Sequence, residues 1–432
     1  MAYAGIDLGG TYVKAGLLEP GGASASAVRR WSTPYVYSGR VPEAVDVGAL
    51  MAWVSTELSR LADAGATAVF ITNQMHGVIL TDDNVVPHSA AYTWQADLAA
   101  NDPGGTLDAL ARLSDGLGEE TRRALGNELR QGLPIVTLAC LARRSGFSMR
   151  GLTALSLGDF IASRLCGKIV ATHVTNAAAS GLYDLVKGGW SAHALRVAGI
   201  ADLSMPEVVT APRIEGSTTI DGRVLTVACA IGDQQAALMG ASLEHSELSV
   251  NIATGCQVSR RICAPDTTAP QLRPFVNGDY ISTVTHIPAG RALNAFVRLL
   301  SGSANSDSLS ANWAALEQAA AATTTDLRAN VALFPAARGY PGSLTGLSEH
   351  EMEPGAIFRA AMEDVVSRIG DAASAIGMSG LTRVVLSGGV AYNSSLMRSL
   401  VSEKLTMPTR VVSEDADALI GLGKIAKLIP GM

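Results

Sequence analysis

Two strand–turn–strand units, far apart in the chain and alike in pattern, limit the fold more than any other feature of this sequence. The first runs from Tyr3 to Leu18, with a tight turn at Asp7-Leu8-Gly9-Gly10-Thr11 and Lys14 shortly after it. The second runs from Leu248 to Ile262 and turns at Ala253-Thr254-Gly255-Cys256. A hairpin repeated in this way points to internal duplication. Between the copies, the apolar run Val224 to Ala230 reads as a strand. It gives way to Ile231-Gly232-Asp233-Gln234-Gln235-Ala236-Ala237-Leu238-Met239-Gly240, whose residues from Gln234 favour helix. Asp233 stands at that strand-to-helix junction, where backbone N–H groups and the helix dipole favour negative charge. An ordinary capping Asp accounts for the residue type. The glycine before it and its place between two related halves favour chemistry.

A chain of 432 residues exceeds what one hydrophobic core usually organises, so two domains are expected. Hydrophobic residues make up 48% and charged residues 17%, which excludes disorder. A net charge of −6 gives no reason to expect nucleic acid or an anionic membrane as partner. No apolar run has the length of a membrane span, and the first residues lack the pattern of a signal peptide. Five cysteines, odd in number and without Cys-x-x-Cys spacing, read as buried thiols of a reducing compartment, hence cytoplasmic.

The remaining segments alternate strands with helices. Val47, Leu50, Met51, Val54, Leu58 and Leu61 recur at helical spacing over residues 46–64, before a buried strand at Ala68 to Thr72. The polar group Asn73-Gln74-Met75-His76-Gly77 follows the carboxyl end of that strand, where open α/β sheets place ligands. Trp94 lies among amide and acid groups suited to a sugar or to packing between domains. Residues 106–130 read as a charged helix, 133–143 and 155–167 as further helices, and 172–180 as a loop holding Asn176. Residues 206–222 read as connecting loops, 301–326 as a helical insert, 334–346 as turns, and 354–377 as a long helix. A strand at Val384 to Leu386 leads into Ser387-Gly388-Gly389, and the chain closes with helix 394–404, strand 409–412 and helix 416–428. The first glycine turn is neither a Walker loop nor a dinucleotide fingerprint, because no helix follows it. It can still meet phosphate through exposed backbone N–H groups.

In this order, two glycine hairpins, a central Gly232-Asp233-Gln234-Gln235 and a late Gly388-Gly389 loop, the chain resembles the FGGY carbohydrate kinases. Asn251-Ile252-Ala253-Thr254-Gly255-Cys256-Gln257, Arg273-Pro274-Phe275 and Asn176-Ala177-Ala178-Ala179-Ser180-Gly181 are most similar to sedoheptulokinase-like members. Gln74-Met75-His76-Gly77 resembles xylulokinases, and Gly232 to Ala237 glycerol kinases.

The resemblance implies an α/β fold of two actin-like (ribonuclease H-like) domains with an interdomain active-site cleft. Residues 1–228 would form the sugar-binding domain and 229–432 the nucleotide-binding domain. ATP and Mg²⁺ would be the cofactors, a small sugar the partner, and a homodimer an assembly the family allows. Asp233 would take the proton from the attacking hydroxyl, and Asp7 and Asp233 would serve the metal. Gly9, Gly10, Thr11, Lys14, Thr254 and Gly255 would meet the terminal phosphates. Gly290, Asn294, Gly388, Gly389 and Asn393 would lie along the nucleotide. Gln74, Met75, His76, Trp94 and Asn176 would contact the sugar.

The chain also departs from the family. Gly10 replaces a hydroxyl residue, Ala96 and Leu98 stand where an Asp or Arg often follows the Trp, and no acidic-aromatic segment is evident over 35–46. Leu138-Ala139-Cys140 occupies the place of a lysine-bearing signature. The expected reaction is phosphorylation of a ketose, sedoheptulose before xylulose and xylulose before glycerol. A non-catalytic sugar or nucleotide sensor and a protein-directed ATPase are the rival readings.

Overall fold

The computed structural model describes residues 2–19, 21–22, 24–39, 41–101, 104–144, 146–302, 308–334, 339–412 and 417–432. Parts of the expected insert 301–326, the turns 334–346 and the last helix lie outside them. Two compact units are present: Met1–Ser242 with Cys263–Tyr280 and Ala416–Met432, and Leu243–Ile262 with Ile281–Asp415.

The sheet of the first unit runs Ile214–Ile220, Arg223–Ala228, Ala66–Asn73, Ala2–Leu8, Tyr12–Leu18, Ala25–Ser32. Ala2–Leu8 pairs antiparallel with Tyr12–Leu18 and parallel with Ala66–Asn73. The second unit repeats this arrangement. Glu247–Ile252 pairs antiparallel with Gly255–Ile262 and parallel with Arg383–Ser387. The duplicated α/β fold expected from the two hairpins is therefore present, one copy per unit.

Burial explains why these segments are strands. Ala4, Ile6 and Leu8 share one core with Val69, Ile71, Leu50, Val54, Leu58 and Leu61. Central strands covered on both faces read as nearly continuous apolar runs. Helix Val47–Asp63 starts where the Asp46 side chain accepts from Ala49 N at 2.9 Å, a cap that contributes about 1 kcal/mol. Helix Pro354–Ile376 supplies the second unit's core, where Phe358, Met362, Val365 and Ile369 are fully enclosed.

Several segments differ from the sequence reading. Residues 172–180 are not a loop throughout: Val174–Ala179 is helical, its six residues too short to show periodicity. Ile214–Ile220 is an edge strand, hidden by its Gly, Ser and Thr residues. The helix expected over 106–130 is Gly105–Ala124, interrupted at Gly118, so Glu128 and Arg130 lie beyond it. Of the cysteines, Cys140, Cys229 and Cys256 are buried, but Cys166 is half-buried and Cys263 exposed. No helix among the described residues is long and apolar enough to cross a membrane.

The C-terminal helix Asp417–Ala426 packs on helix Asp233–Gly240 within the first unit. Gly421 makes this approach possible, because a Cβ there would run into Ala236 O. Lys424 Nζ then donates to Gly240 O at 2.7 Å, placing positive charge at the C-terminal end of the Asp233 helix. Gly421→Ala should force the two helices apart and destabilise the protein by about 1–3 kcal/mol, the usual cost of overpacking. Thermal melting of the variant checks this.

Candidate active site

Three adjacent strand ends build the acidic part of the first unit. Thr72 and Asn73 pair with Asp7 and Leu8 on one side and with Ile231 and Gly232 on the other. Asp7 and Asp233 therefore emerge at the carboxyl ends of strands flanking the same neighbour. Thr72 Oγ1 donates to Ile231 O at 2.9 Å, and Gly232 N donates to Thr175 Oγ1 at 3.1 Å. Asn176 Nδ2 donates to Asn73 Oδ1 and to Ala230 O, both at 3.1 Å. Asn176 thus ties two of the strand ends together from the short helix.

Asp233 is the first residue of its helix and follows a capping Gly232, so it is not itself the cap. Its Oδ1 accepts from Gln234 N at 2.8 Å. Burial, then the nearby Asp7 carboxylate, pushes its pKa up to about 7. Asp7 is pushed up to about 6 by burial, against the pull of Lys14, whose Nζ lies 3.8 Å from Asp7 Oδ2. Asp7 and Lys14 are cross-strand partners in the hairpin. Lys14 thus answers the charge of Asp7, while the positive group that acts on Asp233 is Arg273. The donor set fits Mg²⁺, which takes hard oxygen ligands and would offset the burial that drives both groups toward neutrality.

A second polar group in this unit was not legible as a site. Glu128 accepts from Arg273 Nη2 at 2.9 Å and from Arg130 Nε at 2.9 Å. Arg273 Nη1 also donates to Gln234 Oε1 at 2.5 Å, joining the group to the residue after Asp233. Burial favours the neutral form of Glu128, but Arg273 and Arg130 overcome it and hold the carboxyl well below its ordinary range. His76 Nδ1 lies 2.7 Å from Ala179 O, and Nε2 lies 3.9 Å from Glu128. Burial pushes the imidazole down to about 3, so His76 is neutral at physiological pH and the approach to Glu128 is not an ion pair there.

The other predicted acceptor residues divide by environment. Met75 is buried, with Sδ 3.8 Å from Arg273 Nη1. Gln74 is 3% exposed and its Nε2 has no partner among the described residues. Trp94 is 40% exposed. Gly9, Gly10 and Thr11 form the hairpin turn, whose carbonyls are engaged from the next strands: Thr33 Oγ1 donates to Gly9 O at 2.8 Å and Tyr35 Oη to Gly10 O at 2.6 Å. Tyr35 belongs to the 35–46 segment in which the sequence showed no family feature. Its only signal was the aromatic alternation Tyr35-Val36-Tyr37.

The second unit brings its predicted residues together through backbone. Gly290 N donates to Ala253 O at 3.0 Å and Arg291 N to Thr254 O at 2.8 Å, so the Thr254-Gly255 turn sits at the start of helix Gly290–Ser301. Gly388 has φ of +90°, and a Cβ there would meet Ile252 O at 2.5 Å. Only glycine fits such an approach at that backbone angle. The Cβ direction of Gly389 is open, and Asn393 Nδ2 donates back to Gly389 O at 2.8 Å. Asn294 is half-buried on the helix that begins at Gly290. Three chain segments thus meet around one turn, with Gly290 and Gly388 set against the carbonyls of Ala253 and Ile252.

Residues 2–240 match the N-terminal domain of the FGGY family of carbohydrate kinases. The chain belongs to that family. Its class of enzyme is the ATP-dependent carbohydrate kinase. Sedoheptulokinase from Homo sapiens is 24% identical over 341 residues, 68% of each chain. A glycerol kinase from Xanthobacter autotrophicus is 27% identical over 303 residues, 63% of this chain and 58% of that one. Among solved structures, xylulose kinase from Rhodospirillum rubrum superposes with a TM-score of 0.84 at 18% identity, over 98% of this chain and 90% of that one. The match to the sedoheptulokinase spans about two thirds of its length, and that to the glycerol kinase less. The structural likeness bears on the fold, and it supports the two actin-like α/β units.

Proposed function

We propose that this FGGY kinase transfers the γ-phosphoryl group of ATP to a ketose, with sedoheptulose as the first acceptor to test. The acceptor would be held by the N-terminal part of the sequence and the nucleotide by the part after residue 228. The observation that carries the reading is the pair Asp7 and Asp233 at the ends of strands flanking the same neighbour, with Gln74 Nε2 in the same unit unpartnered among the described residues. A sensor needs no such base, and a protein-directed ATPase has no use for a buried amide at the first glycine turn. Sedoheptulose is placed ahead of xylulose and glycerol on the motif resemblance and on the human relative.

Phosphoryl transfer asks the protein for alignment and charge neutralisation more than covalent chemistry. Asp233, when unprotonated, accepts the proton of the attacking hydroxyl. The Gln234 N–H fixes one of its oxygens and leaves the other for that task. Lys14 adds positive charge beside Asp7, and backbone N–H groups of the two glycine turns would meet phosphate oxygens. Mg²⁺ held by Asp7 and Asp233 would neutralise charge on the phosphates.

A base must be unprotonated to act, and the free-enzyme value governs kcat/KM. Asp233 stands at about 7 in the ligand-free protein, so kcat/KM should fall as pH drops through about 7. The deciding experiment measures ADP release with ATP and Mg²⁺ across C3 to C7 polyols and ketoses. Sugar-dependent ADP release supports the proposal, whereas hydrolysis indifferent to sugar, or none, would end it.

A further inference from the structure

The turn at Gly10 has an open side with unusual surroundings. A Cβ built on Gly10 would find Gln74 Oε1 at 3.4 Å, Trp94 Nε1 at 3.6 Å and Tyr35 Oη at 3.7 Å. Three polar atoms from three separate segments of the first unit converge on the space that a side chain at position 10 would take.

Their hydrogen-bonding capacity is largely unspent. Tyr35 has one proton, and it goes to Gly10 O at 2.6 Å. Its 3.4 Å approach to Gln74 Oε1 is then a weak contact at best, and its oxygen lone pairs remain free to accept. Gln74 Nε2 has no partner among the described residues although the residue is 3% exposed. Trp94 Nε1 donates to no described residue. A buried amide without partners costs roughly 1–3 kcal/mol, so such a group is retained where a ligand satisfies it. Two donors, Trp94 Nε1 and Gln74 Nε2, stand with two acceptors, Gln74 Oε1 and Tyr35 Oη. A group that both gives and takes hydrogen bonds fits this set. A carboxylate or phosphate, which only accepts, does not.

We propose that Gly10, Tyr35, Gln74 and Trp94 form a hydroxyl subsite of the acceptor pocket, with the room supplied by the missing side chain at Gly10. The proposal rests on the ketose-kinase reading and names which residues choose the acceptor. Tyr35 and Gly10 are its new members. A residue with a hydroxyl at position 10 fills the niche with its own oxygen; glycine leaves it to the substrate. The chain thereby gains space for an acceptor that carries one more hydroxyl-bearing carbon at this point.

The test measures sugar binding by calorimetry on the full chain without nucleotide, with sedoheptulose, xylulose and a monodeoxy series of each. Gly10→Ala should weaken binding of the longer ketose about tenfold or more, because the methyl group takes the place of the hydroxyl. Tyr35→Phe removes one oxygen and leaves the fold least disturbed. It should weaken the parent ketose about fivefold, the factor for one neutral hydrogen bond, and leave one deoxy analogue unaffected. That analogue identifies the hydroxyl. A purely structural Tyr35 would weaken every analogue alike, and that result overturns the proposal. So does unchanged binding in both variants, or wild-type protein that binds no ketose in the panel. Because binding is read apart from turnover, the two failures stay distinct. ADP release with unaltered variants sinks the subsite alone, and tight, hydroxyl-selective binding without ADP release sinks the kinase reading alone.

Discussion

Asp233→Asn should lower kcat by about 10²–10⁴-fold, the range general-base catalysis supplies, while the Kd for ATP stays within about threefold. Asn has almost the same shape. Its Oδ1 can still accept from Gln234 N, so the start of the helix Asp233–Gly240 should stay in place. What is lost is a group able to take a proton at neutral pH. The fall of kcat/KM below pH 7 should vanish from the residual activity, because the group pushed up to about 7 by burial and by Asp7 is no longer present. Steady-state kinetics across pH 5.5 to 8.5, with ATP binding by calorimetry, measure all of this. A variant with kcat within about tenfold of the parent would remove Asp233 from the role of base.

Much of the architecture was legible because the strands at its centre are covered on both faces. Ala4, Ile6 and Leu8, or Leu248, Val250 and Ile252, can only be interior residues, and glycine turns join them to partners of the same kind. The short helix Val174–Ala179 and the edge strand Ile214–Ile220 lacked that signal. One is too brief for a period of 3.6, and the other alternates small polar residues on a half-solvated face.

The candidate site divides along the same line. Asp7, Asp233, Thr254 and Gly388 were visible because each sits in a local pattern, a turn or a strand end, that needs its residue type. Glu128 and Arg130 were not, because nothing near them in sequence marks them, and Tyr35 had only an aromatic alternation with Tyr37. Glu128 reads as one more charge beyond a charged helix. Its meaning comes from Arg273, 145 residues away, and periodicity cannot see that pairing.

Glu128→Ala should destabilise the protein by roughly 3–5 kcal/mol. The carboxylate itself contributes little of this. The cost lies in what remains, since Arg273 is 6% exposed and would keep its charge with no anion bonded to it. Glu128→Gln, which keeps two polar atoms but not the charge, should fall between. Glu128→Ala combined with Arg273→Met should recover stability relative to Glu128→Ala alone, because the stranded cation is gone; pairs in direct contact show interaction energies of about 0.5–3 kcal/mol. The pH dependence has a definite sign. Glu128 is depressed below its unfolded value, so it stabilises the parent above about pH 4.5, and that contribution is lost as pH falls further. The Glu128→Ala protein should lack that part of the acid loss. Because Arg273 also holds Gln234, the acceptor KM should rise in every variant that frees it. Urea melts at pH 4 and pH 7 of the parent, these three variants and Arg273→Met alone decide the matter. If the double variant is less stable than Glu128→Ala by the full cost of losing Arg273, the two residues act independently and the buried pair is not what secures this part of the first unit.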